Sequence, residues 1–288
     1  MNTDTGRAWP IVLGIESPDN GSMTVFPWQR HIERAQELTN QHAFTAEILG
    51  FFIHIARFQS ELHYQLGSAL PRPSRSAAIP SELSREELSQ LSSRFESFLS
   101  LVEAHGPQQL AHQSRAIRVR GASFWSELLA AAWIALSPSD AQGCLAQAFL
   151  QPYAWLLRSG ASRHPAQHTY AVCPFCNRRP VVGVLRQMGE GAARSLVCGF
   201  CLNEWEFRRI VCPGCGEEND KKLAVFITSD FDYIRLECCD TCKTYIKSVD
   251  LTRNGHAEPI VDELAAAPLD LWARDRGYAK LQNNLLGM

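Results

Sequence analysis

The feature that most constrains this chain is a series of four C-x-x-C pairs in its second half: Cys173/Cys176, Cys198/Cys201, Cys212/Cys215 and Cys239/Cys242. Nine of the ten cysteines fall between Cys173 and Cys242, and Cys144 alone lies outside. A C-x-x-C turn aims two sulfurs at one point, and two such turns complete a tetrahedral S₄ site. Small β units stapled by metal are therefore expected here. In a reducing compartment such pairs signal metal binding or thiol redox chemistry rather than a disulfide framework. The N-terminus carries an acid early and enters no apolar run of signal-peptide type. The longest apolar run, Leu128 to Leu136, has nine residues against the ~20 of a bilayer-spanning helix. A cytoplasmic protein without membrane insertion is the expectation.

Four pairs can combine into two sites in three ways, and an internal repeat selects one. Cys173-Pro174-Phe175-Cys176 recurs as Cys212-Pro213-Gly214-Cys215, and the gaps to the following pairs are 21 and 23 residues. Each copy reads knuckle, strand, loop, strand, knuckle, strand, with β-rich runs at Val181–Leu185 and Leu223–Ile227. Site one is thus assigned to Cys173, Cys176, Cys198 and Cys201, and site two to Cys212, Cys215, Cys239 and Cys242; cross-bracing is the alternative. Cys238 is out of phase with the repeat and reads as a non-ligand, and Cys144 as a small buried residue of a helix. Closed S₄ sites are typically structural, and spacing alone does not separate iron from zinc. Thiol–disulfide exchange would need a low-pKa thiolate that a sequence does not reveal.

At 288 residues the chain is long enough for more than one domain, and 45% hydrophobic with 20% charged residues is ordinary globular composition. Apolar residues from Trp28 to Leu66 fall at helical spacing, clearest in Ile48, Phe51, Phe52, Ile55, Phe58, Leu62 and Leu66, predicting one or two amphipathic helices. Gly67 to Pro80, rich in proline and serine, predicts a surface connection. Ser84 with Glu87 forms a capping box before a stripe of Leu88, Leu91, Phe95, Phe98 and Val102 that ends at His105-Gly106-Pro107. Further helices are predicted over Ser123–Leu136 and Asp140–Leu157, and a C-terminal one over Glu258–Asp275, kinked at Pro268. The tail Gln282–Met288 is expected to be loosely held.

Other motifs are weaker. Between Thr169 and Gly255 twelve Lys/Arg face eleven Asp/Glu, whereas a phosphate-binding surface needs a basic excess. Nucleic acid is therefore not the expected partner, although Phe200, Trp205 and Tyr245 are aromatics of the kind that stack on bases. Arg178-Arg179, Arg208-Arg209 and Lys221-Lys222 read as solvated loop charges, and Arg115, Arg118 and Arg120 as a solvated cluster or a grip for an acidic segment. Trp272, Arg276 and Tyr278 would suit either a partner edge or packing against the cysteine modules. His54 and His63 are not spaced to lie side by side on a helix, and no zinc-protease motif, phosphate loop or nucleophile elbow is present. An enzyme is not expected.

With these residues in hand, the chain resembles the formate dehydrogenase accessory (formation) protein family, FdhE. The resemblance is carried by Cys-Pro-Phe-Cys at 173–176, Leu-Val-Cys-Gly-Phe-Cys at 196–201, Cys-Pro-Gly-Cys-Gly at 212–216 and Cys-Asp-Thr-Cys-Lys-Thr-Tyr-Ile-Lys at 239–247. Softer matches are Gln151-Pro152-Tyr153, Asp262-Glu263-Leu264 and Arg276-Gly277-Tyr278. It implies an all-α N-terminal domain (1–165), two tandem rubredoxin-like modules (166–210 and 211–255) and a C-terminal helical segment (256–288). It further implies one iron in each Cys₄ site, with zinc the alternative, and a cytoplasmic role in maturing the catalytic subunit of a respiratory formate dehydrogenase. Asn177 stands where the second repeat has Gly216, so site one is expected to be tuned differently; Cys238 adds a thiol beside a ligand.

Overall fold

The computed structural model describes residues 27–69, 79–138, 140–160 and 170–288. Readings that fall on 1–26, on 70–78 of the expected connection and on 161–169 around the expected domain boundary lie outside the described residues.

Helices fill the first half. Pro27–Gln41 (α1) and Ala46–Ala69 (α2) are joined by a 3-10 turn. Arg85–His105 (α3) begins on the expected capping box: Ser84 Oγ accepts from the Glu87 N–H at 3.2 Å, and the Glu87 carboxylate accepts from the Ser84 N–H at 2.6 Å. Gln108–Arg118 (α4) was not anticipated, because its largely polar sequence carries few apolar residues to mark a stripe. It is pinned by the Ser114 hydroxyl, which donates to the Leu99 carbonyl at 2.7 Å, and by buried Ile117. Gly121–Ile134 (α5) and Ala141–Ser159 (α6) follow, the latter capped by Asp140 and running through Pro152 unbroken.

Among the described residues seven strands form one sheet: Pro180–Met188 (β1), Gly191–Cys198 (β2), Glu204–Glu206 (β3), Leu223–Thr228 (β4), Phe231–Cys239 (β5), Thr244–Asp250 (β6) and Ala279–Lys280 (β7). Their order is β3-β2-β1-β6-β5-β4, with β7 added beside β6. The two repeats are fused. β1 of the first pairs in parallel with β6 of the second, Val182 opposite Lys247 through Leu185 opposite Asp250. Gly183 is required at that seam, since a Cβ there would stand 2.2 Å from the Ser248 hydroxyl oxygen.

Between the helices and the sheet lies α2, which is apolar on two faces. Phe51, Ile55, Leu62 and Leu66 enter a core shared with α3, α5 and α6, while Leu49, Phe52 and Ala56 enter a second core against the sheet. The C-terminal helix divides into Pro259–Ala265 (α7) and Ala267–Asp275 (α8), broken just before Pro268 as a proline in a first turn requires.

The tail is not loose. Its polar side chains hold it: Gln282 donates to Ser137 Oγ at 3.2 Å, Asn284 donates to the Glu263 carboxylate at 3.0 Å, and the Asn284 side-chain oxygen accepts from the Leu286 and Met288 N–H groups at 3.1 Å each. Apolar periodicity carries no signal of such anchors. The architecture is thus a helical N-terminal part, a β-rich part bearing two cysteine clusters, and C-terminal helices that return to both.

Candidate metal centres

The four thiols of Cys173, Cys176, Cys198 and Cys201 lie within 4.8 Å of one another, and so do those of Cys212, Cys215, Cys239 and Cys242. The repeat-internal grouping is the one assembled, and cross-braced sets are not. Hairpin geometry explains this. Within each copy the two knuckles flank one antiparallel pair, β1 with β2 (Pro180 opposite Cys198) or β4 with β5 (Leu223 opposite Cys239), so they meet at the same end.

Sulfur separations test the fit of a metal. They are 3.5 Å for Cys173–Cys201, 3.4 Å for Cys176–Cys198, 3.7 Å for Cys212–Cys242 and 3.7 Å for Cys215–Cys239. A tetrahedron with metal–sulfur bonds of ~2.3 Å has an edge of ~3.8 Å, whereas a disulfide would be ~2.05 Å. Each cluster can therefore hold one thiophilic ion. Within site one, hydrogen bonds from Cys173, Cys198 and Cys201 hold the Cys176 thiol far below its usual range against the effect of burial, with Arg178 adding to the shift. Burial pushes Cys198 and Cys201 well above theirs. A bound dication would hold its coordinating thiols deprotonated.

All four knuckles end in a left-handed residue: Asn177 (φ 58°), Leu202 (φ 55°), Gly216 (φ 79°) and Lys243 (φ 55°). Asn177 and Gly216 make the same turn, each N–H donating to the carbonyl of its first knuckle cysteine at 2.9 Å. Asparagine tolerates that conformation better than other non-glycine residues, so the departure from glycine leaves the backbone of site one unchanged.

The two sites differ in setting. Cys198 and Cys201 are 0% exposed and Cys173 is 2% exposed, within the core that joins the first repeat to α3, α5 and α6. Cys215 is exposed and Cys242 half-buried. Around site two, the Gly214 N–H donates to Cys212 Sγ at 3.2 Å, and Thr244 Oγ1 lies 3.0 Å from Cys242 Sγ. Burial opposes ionisation of Cys242, but the Thr244 hydroxyl and N–H outweigh it and lower this thiol to about 7. A Cβ at Gly214 would come within 2.8 Å of the Thr244 hydroxyl and 3.3 Å of Cys242 Sγ, so only glycine fits. In the first repeat Phe175 takes the equivalent position and is buried toward the helices.

The reading of the loop charges is corrected at one position. Arg178 is not a solvated loop charge. It is 5% exposed, donates to the carbonyls of Ala132 (3.1 Å) and Trp133 (2.6 Å) at the end of α5, and lies 3.7 Å over the Phe200 ring. Arg179, Arg208, Arg209, Lys221 and Lys222 are exposed, as expected of loop charges, with Arg208 paired to Glu218 and Lys222 to Glu217. The Arg115, Arg118 and Arg120 cluster is largely solvated, as expected, with Arg115 and Arg118 both closing on Glu103 and Arg120 covering Phe124. Phe200, Trp205 and Tyr245 are all buried, so none offers a face to a base.

Cys238 and Cys144 stand outside both clusters. Burial pushes Cys238 up to about 12, and Cys144 is also raised. Trp272 packs on Phe226 at 4.6 Å, Arg276 covers Trp272, and the Tyr278 hydroxyl donates to Asp240 at 2.8 Å, so this trio faces the second repeat. His54 stacks on His105, whereas His63 lies against Trp28 and Trp155. The positioning roles of Arg178, Thr244 and Gly214 were missed. Gly214, in the knuckle where the first repeat has Phe175, was the available signal.

Fold and site together define a duplicated cysteine-knuckle protein with a helical cap. Comparison with known proteins finds similarity to one family over the cysteine-rich part. Residues 172–209 match the central domain of FdhE and residues 210–286 its C-terminal domain. The FdhE homolog of Aquifex aeolicus is 38% identical over 116 residues, 40% of this chain and 41% of that one. The homolog of Pseudomonas aeruginosa is 33% identical over 140 residues, 46% and 44% respectively. The crystal structure of the FdhE protein from Pseudomonas aeruginosa superposes with a TM-score of 0.61 over 90% of this chain and 95% of that one, at 22% identity, which speaks to the fold. The matched stretch spans less than half the length of these curated relatives. Over its residues 172–286 the chain is similar to the central and C-terminal domains of the FdhE family. Among the described residues no helix is long and apolar enough to cross a membrane.

Proposed function

We propose that this chain is an accessory protein of formate dehydrogenase maturation, cytoplasmic and non-catalytic, that binds the enzyme's catalytic subunit. We assign Cys173, Cys176, Cys198 and Cys201, and Cys212, Cys215, Cys239 and Cys242, as ligands of one iron each, zinc being the alternative occupant. What supports the reading is the pairing of two closed S₄ clusters with the FdhE central and C-terminal matches over 172–286. A fully coordinated cluster leaves no open position for a substrate. Bound iron would supply one-electron chemistry, while zinc would act as a staple. The chain's own residues do the rest: Arg178 fastens site one to α5, Gly214 and Thr244 shape site two, and the exposed Cys215 leaves that site within reach of a partner.

The test is anaerobic purification followed by metal analysis, a visible spectrum before and after dithionite, and binding of the loaded chain to the catalytic subunit in both redox states. Two irons per chain with a bleachable thiolate-to-iron band, and a saturable complex, are expected. Two zincs would make the sites structural. Absence of any complex in either state would remove the accessory reading.

A further inference from the structure

The two cysteine clusters differ in what lies beside them. Cys198 and Cys201 are fully buried in a core that also holds Phe175, Phe200 and Trp205, so site one is sealed. Site two borders a cavity of about 260 Å³ whose walls include Leu185, Ile210, Val225 and Ile246 together with Cys212 and Cys239. Ile210 and Val225 are exposed, so the cavity opens to solvent past them. Strand alternation accounts for the contact. Cys239 lies on the same face of β5 as Arg235 and Glu237, both in the cavity wall, and Thr244, opposite Cys239 on β6, also lines it.

The charges of the wall favour neither sign. Arg235 is held by Asp250 at 2.8 Å and Glu237 by Arg194 at 2.5 Å, and the other two, Arg209 and Asp220, are exposed and opposite in sign. The cavity therefore suits an uncharged ligand with a small apolar body, and ~150 Å³ is already enough for one the size of benzene.

The thiols of site two are placed unequally around this opening. Cys212 and Cys239, on the cavity side, form one edge of the S₄ tetrahedron, and Cys215 and Cys242 form the opposite edge. On that second edge Cys242 is half-buried with its Sγ 3.0 Å from Thr244 Oγ1, whereas Cys215 is exposed. A donor entering from the cavity thus meets the cluster on the side away from Cys215, the thiol with the most room to depart. A small ligand that is largely uncharged at neutral pH and still a donor to a thiophilic ion is an alkyl thiol.

We propose that the cavity admits a low-molecular-weight thiol that displaces Cys215, so that site two carries an exchangeable metal while site one retains its own. The incoming thiol gives up its proton and its sulfur takes the position that Cys215 leaves, and Cys215 Sγ takes up a proton. One metal–sulfur bond forms, one breaks, and no electron moves. The inference rests on the metal assignment proposed above.

The test uses the full chain loaded with two zinc ions, mixed anaerobically with a chromophoric chelator that reports release. Millimolar 2-mercaptoethanol should speed loss of the first zinc at least about tenfold, in proportion to its concentration, and leave the second unchanged. Ethylene glycol, which has oxygen in place of the sulfur, should do nothing, and neither should a thiol tethered to dextran, which is too bulky to enter. A brief pulse of excess N-ethylmaleimide during exchange, followed by peptide mapping, should mark Cys215 before any other ligand of site two. Val225→Trp and Ile210→Trp, each filling the cavity from an exposed wall position, should each abolish the acceleration while metal content, Tm and release without thiol stay as in wild type. No acceleration, acceleration by the tethered thiol, acceleration that survives either variant, or first marking at another ligand would overturn the proposal. A chain that takes up no second zinc would remove the metal assignment of site two itself, and the exchange with it.

Discussion

Arg178 shows how one side chain secures a buried cluster. Its guanidinium takes two carbonyls at the end of α5, where a helix leaves acceptors unpaired and carries partial negative charge, and it stacks on Phe200 one residue from Cys201. Arg178→Met keeps much of the volume and strands those carbonyls. A loss of about 3 kcal/mol in denaturant unfolding of the loaded chain is expected, with slower metal uptake at site one. A loss below about 0.5 kcal/mol would mean the contact is incidental. Gly183 is the second such residue. Gly183→Ala pushes a methyl against Ser248 and should cost about 2 kcal/mol. The Ser248 hydroxyl is buried without a hydrogen-bond partner, so Ser248→Ala should be nearly neutral and should recover about half of that cost in the double variant. Strict additivity in the same unfolding measurement would place the strain elsewhere.

At the scale of elements, the two repeats are alike in turn geometry and unlike in cover. Metal at site two should leave first, because Cys215 is exposed while Cys198 and Cys201 are fully buried. Challenge of the loaded chain with a chelator, followed by a metal-responsive dye, should give two phases, and Cys215→Ser should remove the fast one without unfolding the chain. Release in a single phase would show the sites to be equivalent or coupled. The sequence announced these elements unevenly. The knuckles, the repeat and the apolar stripe of α3 were legible because each is written in local spacing: C-x-x-C, or Leu91, Phe95, Phe98 and Val102 at helical intervals. Three features were not. α4 lacks an apolar stripe, the β1–β6 pairing joins residues over sixty positions apart, and the tail is held by Asn284 and Gln282 rather than by apolar contacts. Long-range pairing and polar anchoring leave no periodic trace.

At the scale of the molecule, two buried polar clusters tie the parts together. Arg34 of α1 donates to Asp262 of α7 at 2.7 Å, and Tyr233 of β5 donates to the same carboxylate at 2.7 Å, joining helical layer, sheet and C-terminal helices. The larger cluster gathers β6, α7, α8, β7 and the tail: Lys247 reaches Glu263 at 2.9 Å and Asp270 at 2.7 Å, Lys280 contacts the same two carboxylates, and Asn284 donates to Glu263. Burial opposes ionisation of Glu263, but the charges of Lys247 and Lys280 outweigh it and hold the carboxyl at about 2, below its ordinary 4.5. Its contribution to stability is therefore complete above pH 4.5 and is lost as pH falls toward 2. Acid also protonates cysteine ligands, so the comparison has to be made between variants. Glu263→Gln leaves two buried ammonium groups facing Asp270 alone and should cost about 3–5 kcal/mol near neutrality. The gap between wild type and variant, from denaturant melts across a pH series, should narrow below pH 4.5 as the wild-type carboxyl takes up its proton. A gap that stays constant with pH would locate the cost in packing, and no gap at neutrality would mean the cluster is as stable without this charge.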